Sequence, residues 1–285
     1  MNLEAIKAKL KQLEEGKPKS KKWKPKDEHT VRVLPLLGKD SEDDIAYTVK
    51  WHYGVDSGKP MYCPTSHGDD CEFCDLVSFL RAWKDENGKS KSETVKQRDW
   101  ETSKKLEAAV KHYVPIVVRK KDSTEVEGPY LWEISPKTYK ELIKVCVSPD
   151  RNEDHPDGGG YKVLTSLMHG VDLTVTLKKK GEKGNQTSYD LTEVEPRLKT
   201  SAVVKGDEAA SREIASKVPG IDDVAKKISS SEAAKVFASW HSTMSDSAAD
   251  TKDSGVEYNP GTEKVASGGL NVEDALQNLL SKTKS

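Results

Sequence analysis

Hydrophobic and polar residues alternate along several stretches of this chain. The run "TVRVLPLL" from Thr30 alternates and then breaks at Pro35, as a barrel strand with a bend would. Similar strand signals recur at "IAYTVKWHYGV", "HYVPIVVR", "PYLWEI", "VDLTVTLKKK" and "TSYDLTEV". Five or six strands over about 165 residues predict a small antiparallel barrel interrupted by insertions, a mainly β fold with helical insertions. Helical periods lie between and outside the strands. "NLEAIKAKLKQLEEG" places Leu3, Ile6, Leu10 and Leu13 on one face, with Gly16 as a stop. "CDLVSFLRAW" is a second helix, and "SPKTYKELIKVCV" a third, with Ser135 at the cap and Pro136 in the first turn. After about Lys199, "EIASKVPGIDDVAKKI" and "SEAAKVFASW" keep helical character. Ser242 to Gly269 is predicted to be disordered. The final "NVEDALQNLLSKTKS" puts Val272, Ala275, Leu276, Leu279 and Leu280 on one face, the form of a docking peptide.

Composition limits the classes available. With 285 residues, 33% of them charged and 34% hydrophobic, one core of ordinary size with solvated tails is expected. No run approaches the ~18 apolar residues of a membrane span, and the N-terminus lacks the apolar stretch of a secretory signal. The expectation is a soluble, intracellular protein that is not secreted and has no membrane partner. Net charge is only −1, yet the ends are opposed. Residues 1–26 carry nine Lys against three Glu, and residues 231–285 carry five Lys against eight Asp or Glu. Such asymmetry is commoner in nucleic-acid proteins than in metabolic enzymes. "KPKSKKWKPK" within the first stretch reads as a flexible basic arm.

The segment "YCPTSHGDDCEFCDLVSFL" holds three of the four cysteines. In a reducing compartment, clustered thiols read as metal ligands before disulfides. Cys71 and Cys74 form a pair spaced to close on zinc, and Cys63 supplies a third thiolate. The fourth ligand must be a nitrogen, from His67 within the segment or from His52 in "KWHYGV". Three thiolates and one imidazole leave no open coordination position, so the zinc is expected to be structural. The remaining Cys146 is assigned to the core. Downstream, residues 84–121 interleave Lys and Arg with Trp100, His112 and Tyr113. Stacking on aromatic faces with phosphate attraction to Lys and Arg is how single strands are held without sequence readout.

"KWHYGV", "CPTSHGDDCEFC", "HYVPIVVRKKD", "KTYKELI" and "SYDLTEV" occur in the order and spacing of the single-stranded-DNA-binding (helix-destabilising) proteins of T-even-like bacteriophages. The chain resembles that family from about Trp23 to Ser201. The resemblance implies an oligonucleotide-binding (OB-fold) barrel with a zinc-binding subdomain. It implies cooperative coating of single-stranded DNA in phage replication, recombination and repair, in the cytoplasm of an infected bacterial host. Carried over by position, the zinc ligands are His52, Cys63, Cys71 and Cys74, because the histidine of the family's equivalent "THGD" run is not a ligand. DNA contacts fall on Lys111, His112, Tyr113 and Tyr189, while Lys96, Arg98, Trp100 and Lys105 come from the charge pattern. Asp70 stands near where the family carries an aromatic, and the tail is less acidic than the family's.

The resulting division is a basic arm over 1–26 for self-association on DNA and a DNA-binding core over 27–201, with its zinc subdomain at about 50–83. A helical extension over 202–241 follows, and then a mildly acidic tail over 242–285 that recruits phage replication and recombination proteins. No enzymatic activity is expected. The rival reading is a zinc-containing phage nuclease or primase, which would need a carboxylate cluster for Mg2+. The one dense acidic run, "DSEDD" at 40–44, has no partner motif.

Overall fold

The computed structural model describes residues 21–36, 44–56, 58–85, 88–120, 125–178 and 191–250. The chain divides into two compact units. The first comprises Met1–Trp51, Tyr62–Asp69 and Ala109–Ile228, and the second His52–Met61, Asp70–Ala108 and Ser229–Ser285. Eight strands are present: β1 (Lys22–Trp23), β2 (Glu28–Val33), β3 (Tyr47–Asp56), β4 (Lys59–Tyr62), β5 (Ala109–Arg119), β6 (Val126–Ile134), β7 (Val171–Lys178) and β8 (Leu191–Thr200). They join in the order β1-β6-β5-β2-β7-β8, with β3 also paired to β5 and β4 to β3. The helices are α1 (Glu72–Arg81), α2 (Glu93–Leu106), α3 (Pro136–Cys146), α4 (Pro149–Asn152), α5 (Lys162–Thr165), α6 (Glu208–Ser216) and α7 (Ser230–Asp250). The mainly β class with helical insertions is therefore realised.

In the first unit β5 organises the sheet. His112 to Val118 are buried without a break, as expected of a strand covered on both faces. Alternation sends Val114, Ile116 and Val118 into a core shared with Val31, Val33, Trp132, Leu173 and Val175. Tyr113 enters a second cluster with Val49, Tyr62 and Leu131, and Val117 a third with Leu34 and Val203. One edge of β5 carries β6 from His112 to Arg119. The other edge pairs with β3 as far as Tyr113 and with β2 from Ile116 onward. Pro115 sits where the partner changes. It has no N–H to donate, and its carbonyl accepts from the Leu34 amide at 2.8 Å, so the proline falls where the ladder is already interrupted.

Helix α3 begins as its sequence requires: the Ser135 hydroxyl caps the Thr138 amide at 3.2 Å, and Pro136 opens the first turn. It delivers Leu142 and Cys146 to the main core. Burial pushes the Cys146 thiol up to about 12, as befits a core side chain. A buried ionic knot ties the strands together. Arg32, wholly inaccessible, donates to Asp172 at 3.2 Å, and Arg119 grips the same carboxylate at 3.0 and 3.1 Å. Arg119 also donates to the Ala202 and Val203 carbonyls at 2.7 and 2.6 Å. Desolvation lowers the Arg32 guanidinium to about 10, against the pull of Asp172.

The second unit is built on aromatic contacts. Phe73 of α1 meets Phe237 and Trp240 of α7 edge-on, with centroids 4.9 and 5.6 Å apart. Between α1 and α2 lies a buried ammonium: Lys91 donates to Asp99 at 2.8 Å and to the Phe79 and Leu80 carbonyls at 3.3 Å. One cation thus satisfies carbonyls in the last turn of α1 and fixes α2 through Asp99.

Several elements depart from the sequence expectations. Lys22 and Trp23, read as part of the basic arm, form a short strand parallel to Leu131 and Trp132, so the sheet is mixed. Trp23 packs edge-on against Trp132 at 5.7 Å, and that apolar contact anchors an otherwise polar run. Helix α6 ends at Ser216 and a 3-10 turn follows at Ile221–Asp223, because Pro219 interrupts the longer helix expected there. Helix α7 continues to Asp250, past the Ser242 start of the expected disorder. The expected N-terminal helix, the 40–43 part of the acidic run, Tyr189 and the tail from residue 251 lie outside the described residues.

Candidate functional site

The cysteine segment folds as its residue types dictate. Cys63 leads into a 3-10 turn, Pro64–His67, and its amide donates to the Lys50 carbonyl at 2.9 Å. The Lys50 amide in turn donates to Ser66 Oγ at 2.8 Å, so the turn is pinned to β3 at two points. Gly68 closes the turn with φ of 92°, a left-handed conformation that a side chain would strain. Cys71 is the N-cap of α1 with extended backbone, and Cys74 lies in its first turn. Both sulfurs therefore sit at the N-terminal end of α1.

The ligand atoms of His52, Cys63, Cys71 and Cys74 all lie within 4.8 Å of one another. The His52 side chain is wholly buried. Its Nδ1 lies 2.7 Å from the Leu106 carbonyl, an acceptor only, so Nδ1 carries the proton and donates. Nε2 is then the lone-pair nitrogen. It points at Cys71 Sγ, 3.4 Å away, and at Cys74 Sγ, 3.6 Å away. Zinc bond lengths in a tetrahedron imply ligand spacings of roughly 3.3–3.8 Å. Thr65 Oγ1 is 3.1 Å from Cys63 Sγ, a hydroxyl able to donate to a thiolate. No disulfide engages these thiols among the described residues. A protonated outer nitrogen on a backbone carbonyl, an inward lone pair and three converging sulfurs suit a tetrahedral thiophilic cation. The cluster could hold a metal ion. The alternative histidine stands outside it: His67 Nε2 is 3.1 Å from Asp69, and its ring packs on Tyr62 at 5.5 Å.

The expected DNA contacts fall in two groups. On α2, Arg98 and Lys105 are exposed, and Lys96 is half-buried and paired with Glu93 at 2.7 Å. Arg98 approaches Asp99 at 3.3 Å. Trp100 is 48% exposed, with Arg81 and Lys104 lying 5.0 and 5.1 Å from its ring centroid. On β5, Lys111 is partly exposed and 3.6 Å from Glu133. His112 and Tyr113 are buried, and their rings are engaged within the protein. His112 stacks on Tyr139 at 4.0 Å with planes 9° apart, and its Nδ1 is 3.0 Å from Thr48 Oγ1. Burial holds its imidazole below the ordinary value, with Asp44 opposing. Tyr113 donates to Glu133 at 3.4 Å, and Lys22 lies 5.3 Å above its ring.

Sequence reasoning missed three features of these groups. The Leu106 carbonyl is backbone chemistry and has no letter. Thr65 stands two residues after Cys63, a spacing that signals such a hydroxyl only in hindsight. Trp83, at the end of the "CDLVSFLRAW" stretch, lies past the helix end at Arg81 and is 77% exposed beneath Lys96. Among the described residues, no helix is long and apolar enough to cross a membrane.

The described residues thus form a β-rich fold with helical insertions and a buried Cys3His cluster that could hold a metal ion. The chain belongs to the gp32-like DNA-binding protein family, whose model, described as "gp32 DNA binding protein like", matches residues 26–239. No curated protein matches it.

Proposed function

We propose that this chain binds single-stranded DNA cooperatively and without sequence preference, coating it during phage replication, recombination and repair in the cytoplasm of an infected bacterium. It acts by binding and performs no catalysis. The observation that carries the reading is the family match over residues 26–239, which spans most of both units. Phosphate attraction to Lys96, Arg98, Lys105 and Lys111 supplies the sequence-independent part. Trp100 supplies stacking, with His112, Tyr113 and Tyr189 as the family's further aromatic positions. The geometry of His52, Cys63, Cys71 and Cys74 supports one zinc ion. That ion would supply structural cross-linking of the segment and no Lewis-acid chemistry, because its four protein ligands fill the tetrahedron.

In this reading residues 27–201 form an oligonucleotide-binding core, with the zinc subdomain at about 50–83 and a helical extension at 202–241. The basic arm, residues 1–26, touches the neighbouring copy on the strand. The tail, residues 242–285, recruits phage replication and recombination proteins. Titration with poly-dT, followed by the fluorescence of the six tryptophans, tests the reading. Saturable quenching with a steep isotherm on long strands, absent with short oligonucleotides, is expected. No fluorescence response and no retention of poly-dT at low salt would overturn it.

A further inference from the structure

Lys50, Cys63 and Thr65 form a closed unit on one side of the cysteine cluster. Pro64 fixes the chain direction just after Cys63, and the turn that follows returns the Ser66 amide to the Cys63 carbonyl at 3.0 Å. Lys50 of β3 meets this turn twice with its backbone. Its carbonyl accepts from the Cys63 amide at 2.9 Å, and its amide donates to Ser66 Oγ at 2.8 Å. The side chain adds a third contact, in which the ammonium donates to Thr65 Oγ1 at 3.4 Å. Thr65 Oγ1 lies in turn 3.1 Å from Cys63 Sγ.

The direction of each hydrogen bond follows from the groups. An ammonium only donates, so the Thr65 oxygen is its acceptor and the hydroxyl hydrogen is left for another partner. A cysteine that ligates a metal is a thiolate and can only accept. The hydrogen between oxygen and sulfur is therefore that of Thr65, and the donors run from Lys50 through Thr65 to Cys63. Cys63 is wholly buried, while Thr65 and Lys50 are partly buried. A hydrogen bond to an ionised sulfur in such a setting is stronger than in water. Three thiolates against one divalent cation leave the centre negatively charged, which the ammonium of this relay offsets. Because backbone bonds already tie the turn to the strand, the hydroxyl is in place before a metal arrives, and the ordering cost of binding falls.

We propose that Lys50 and Thr65 are positioning residues for the metal centre: the ammonium orients the Thr65 hydroxyl, which donates to Cys63 and holds its sulfur as a thiolate facing the cluster. The inference rests on the metal reading above and extends it to two side chains that are not ligands.

The test uses the full chain. Zinc affinity is read by competition with a colorimetric chelator, and the sulfur-to-metal charge-transfer band is read after loading cobalt in place of zinc. Thr65→Val keeps the shape and removes the donor. It is expected to weaken zinc binding about 10- to 100-fold, the usual effect of losing an outer partner of a ligand. It should also move the cobalt band to longer wavelength, because a sulfur without its hydrogen bond gives up an electron more readily. Thr65→Ser keeps the hydroxyl and should stay near wild type in both readouts. Lys50→Met should move both in the direction of Thr65→Val, by less. Thr65→Val matching wild type in affinity and band overturns the relay, and Lys50→Met doing so overturns the part of the ammonium. Thr65→Ser falling as far as Thr65→Val overturns it as well, since packing of the methyl group would then carry the effect. A wild type that takes up neither zinc nor cobalt removes the metal reading, and the relay with it.

Discussion

Replacing His52 with alanine tests the metal centre at its least obvious ligand. The side chain is wholly buried, its Nε2 lies 3.4 and 3.6 Å from two sulfurs, and its Nδ1 donates to the Leu106 carbonyl at 2.7 Å. Loss of an outer partner of a metal ligand typically costs 10- to 100-fold in affinity. Loss of the ligand itself should exceed that, so His52→Ala is expected to weaken zinc binding by at least about 100-fold, or about 3 kcal/mol. His67→Ala removes a contact to Asp69 at 3.1 Å, with the carboxylate half exposed, and ring packing on Tyr62 at 5.5 Å, neither of which touches the cluster. Such a surface pair contributes about 0–1 kcal/mol, and zinc should be untouched. The assay is zinc per chain after purification without chelator, followed by competition with a colorimetric chelator. Wild type and His67→Ala should each hold one equivalent, and His52→Ala should lose it during competition. A His52→Ala protein that keeps its zinc while His67→Ala loses it would refute the reasoning.

Three further outcomes are expected. Lys91→Ala strands Asp99 and the α1 carbonyls in a buried setting and should destabilise the protein by about 3–5 kcal/mol in chemical denaturation. The double variant Lys91→Met, Asp99→Leu should recover much of this, and a single variant as stable as wild type would contradict the account. Lys111→Ala should weaken oligo-dT binding and flatten the log–log salt dependence by about 0.7, one phosphate contact on a single strand; an unchanged slope places Lys111 off the strand. Because burial lowers the His112 pKa, the folded state takes up that proton less readily than the unfolded chain. The stability it confers is complete above the ordinary value of about 6.5 and is lost as pH falls through its lowered folded value, so the melting temperature should drop on acidification. His112→Asn should reduce that drop, and an identical pH profile in the variant would contradict the assignment.

The parts of the molecule written in local patterns could be read from the sequence. The near-continuous apolar run "HYVPIVVR" marks β5 as a strand covered on both faces, and the alternation of "VDLTVTLKKK" marks β7. The Ser135-Pro136 start of α3 is local chemistry as well. Three sulfurs of the metal cluster are visible for the same reason, since Cys71 and Cys74 are one helical turn apart. The imidazole was not decided by spacing, because His52 reaches the cluster through the register of β3 and a carbonyl at the far end of α2. Helix α2 escaped a pattern reading because its buried positions include Asp99 and Ser103, so it shows no apolar stripe. Lys91 gave no signal, since a lysine in "NGKSKSE" looks solvated until Asp99 is placed beside it. The two strands that were missed, β1 and β4, are short and contain lysine or proline, and the longer strand each pairs with holds it in place.

The most direct measurement of the central claim is the melting temperature of a duplex DNA in the presence of the protein. A protein that prefers single strands binds the product of melting and shifts the equilibrium toward it by mass action. Added in stoichiometric excess at low salt, the zinc-bound chain should lower the melting temperature of an A·T duplex, and the shift should shrink as salt rises. A rise in melting temperature would mean that the duplex is the preferred ligand. No change, in salt low enough for basic proteins to bind any DNA, would mean that the chain does not act on single strands at all.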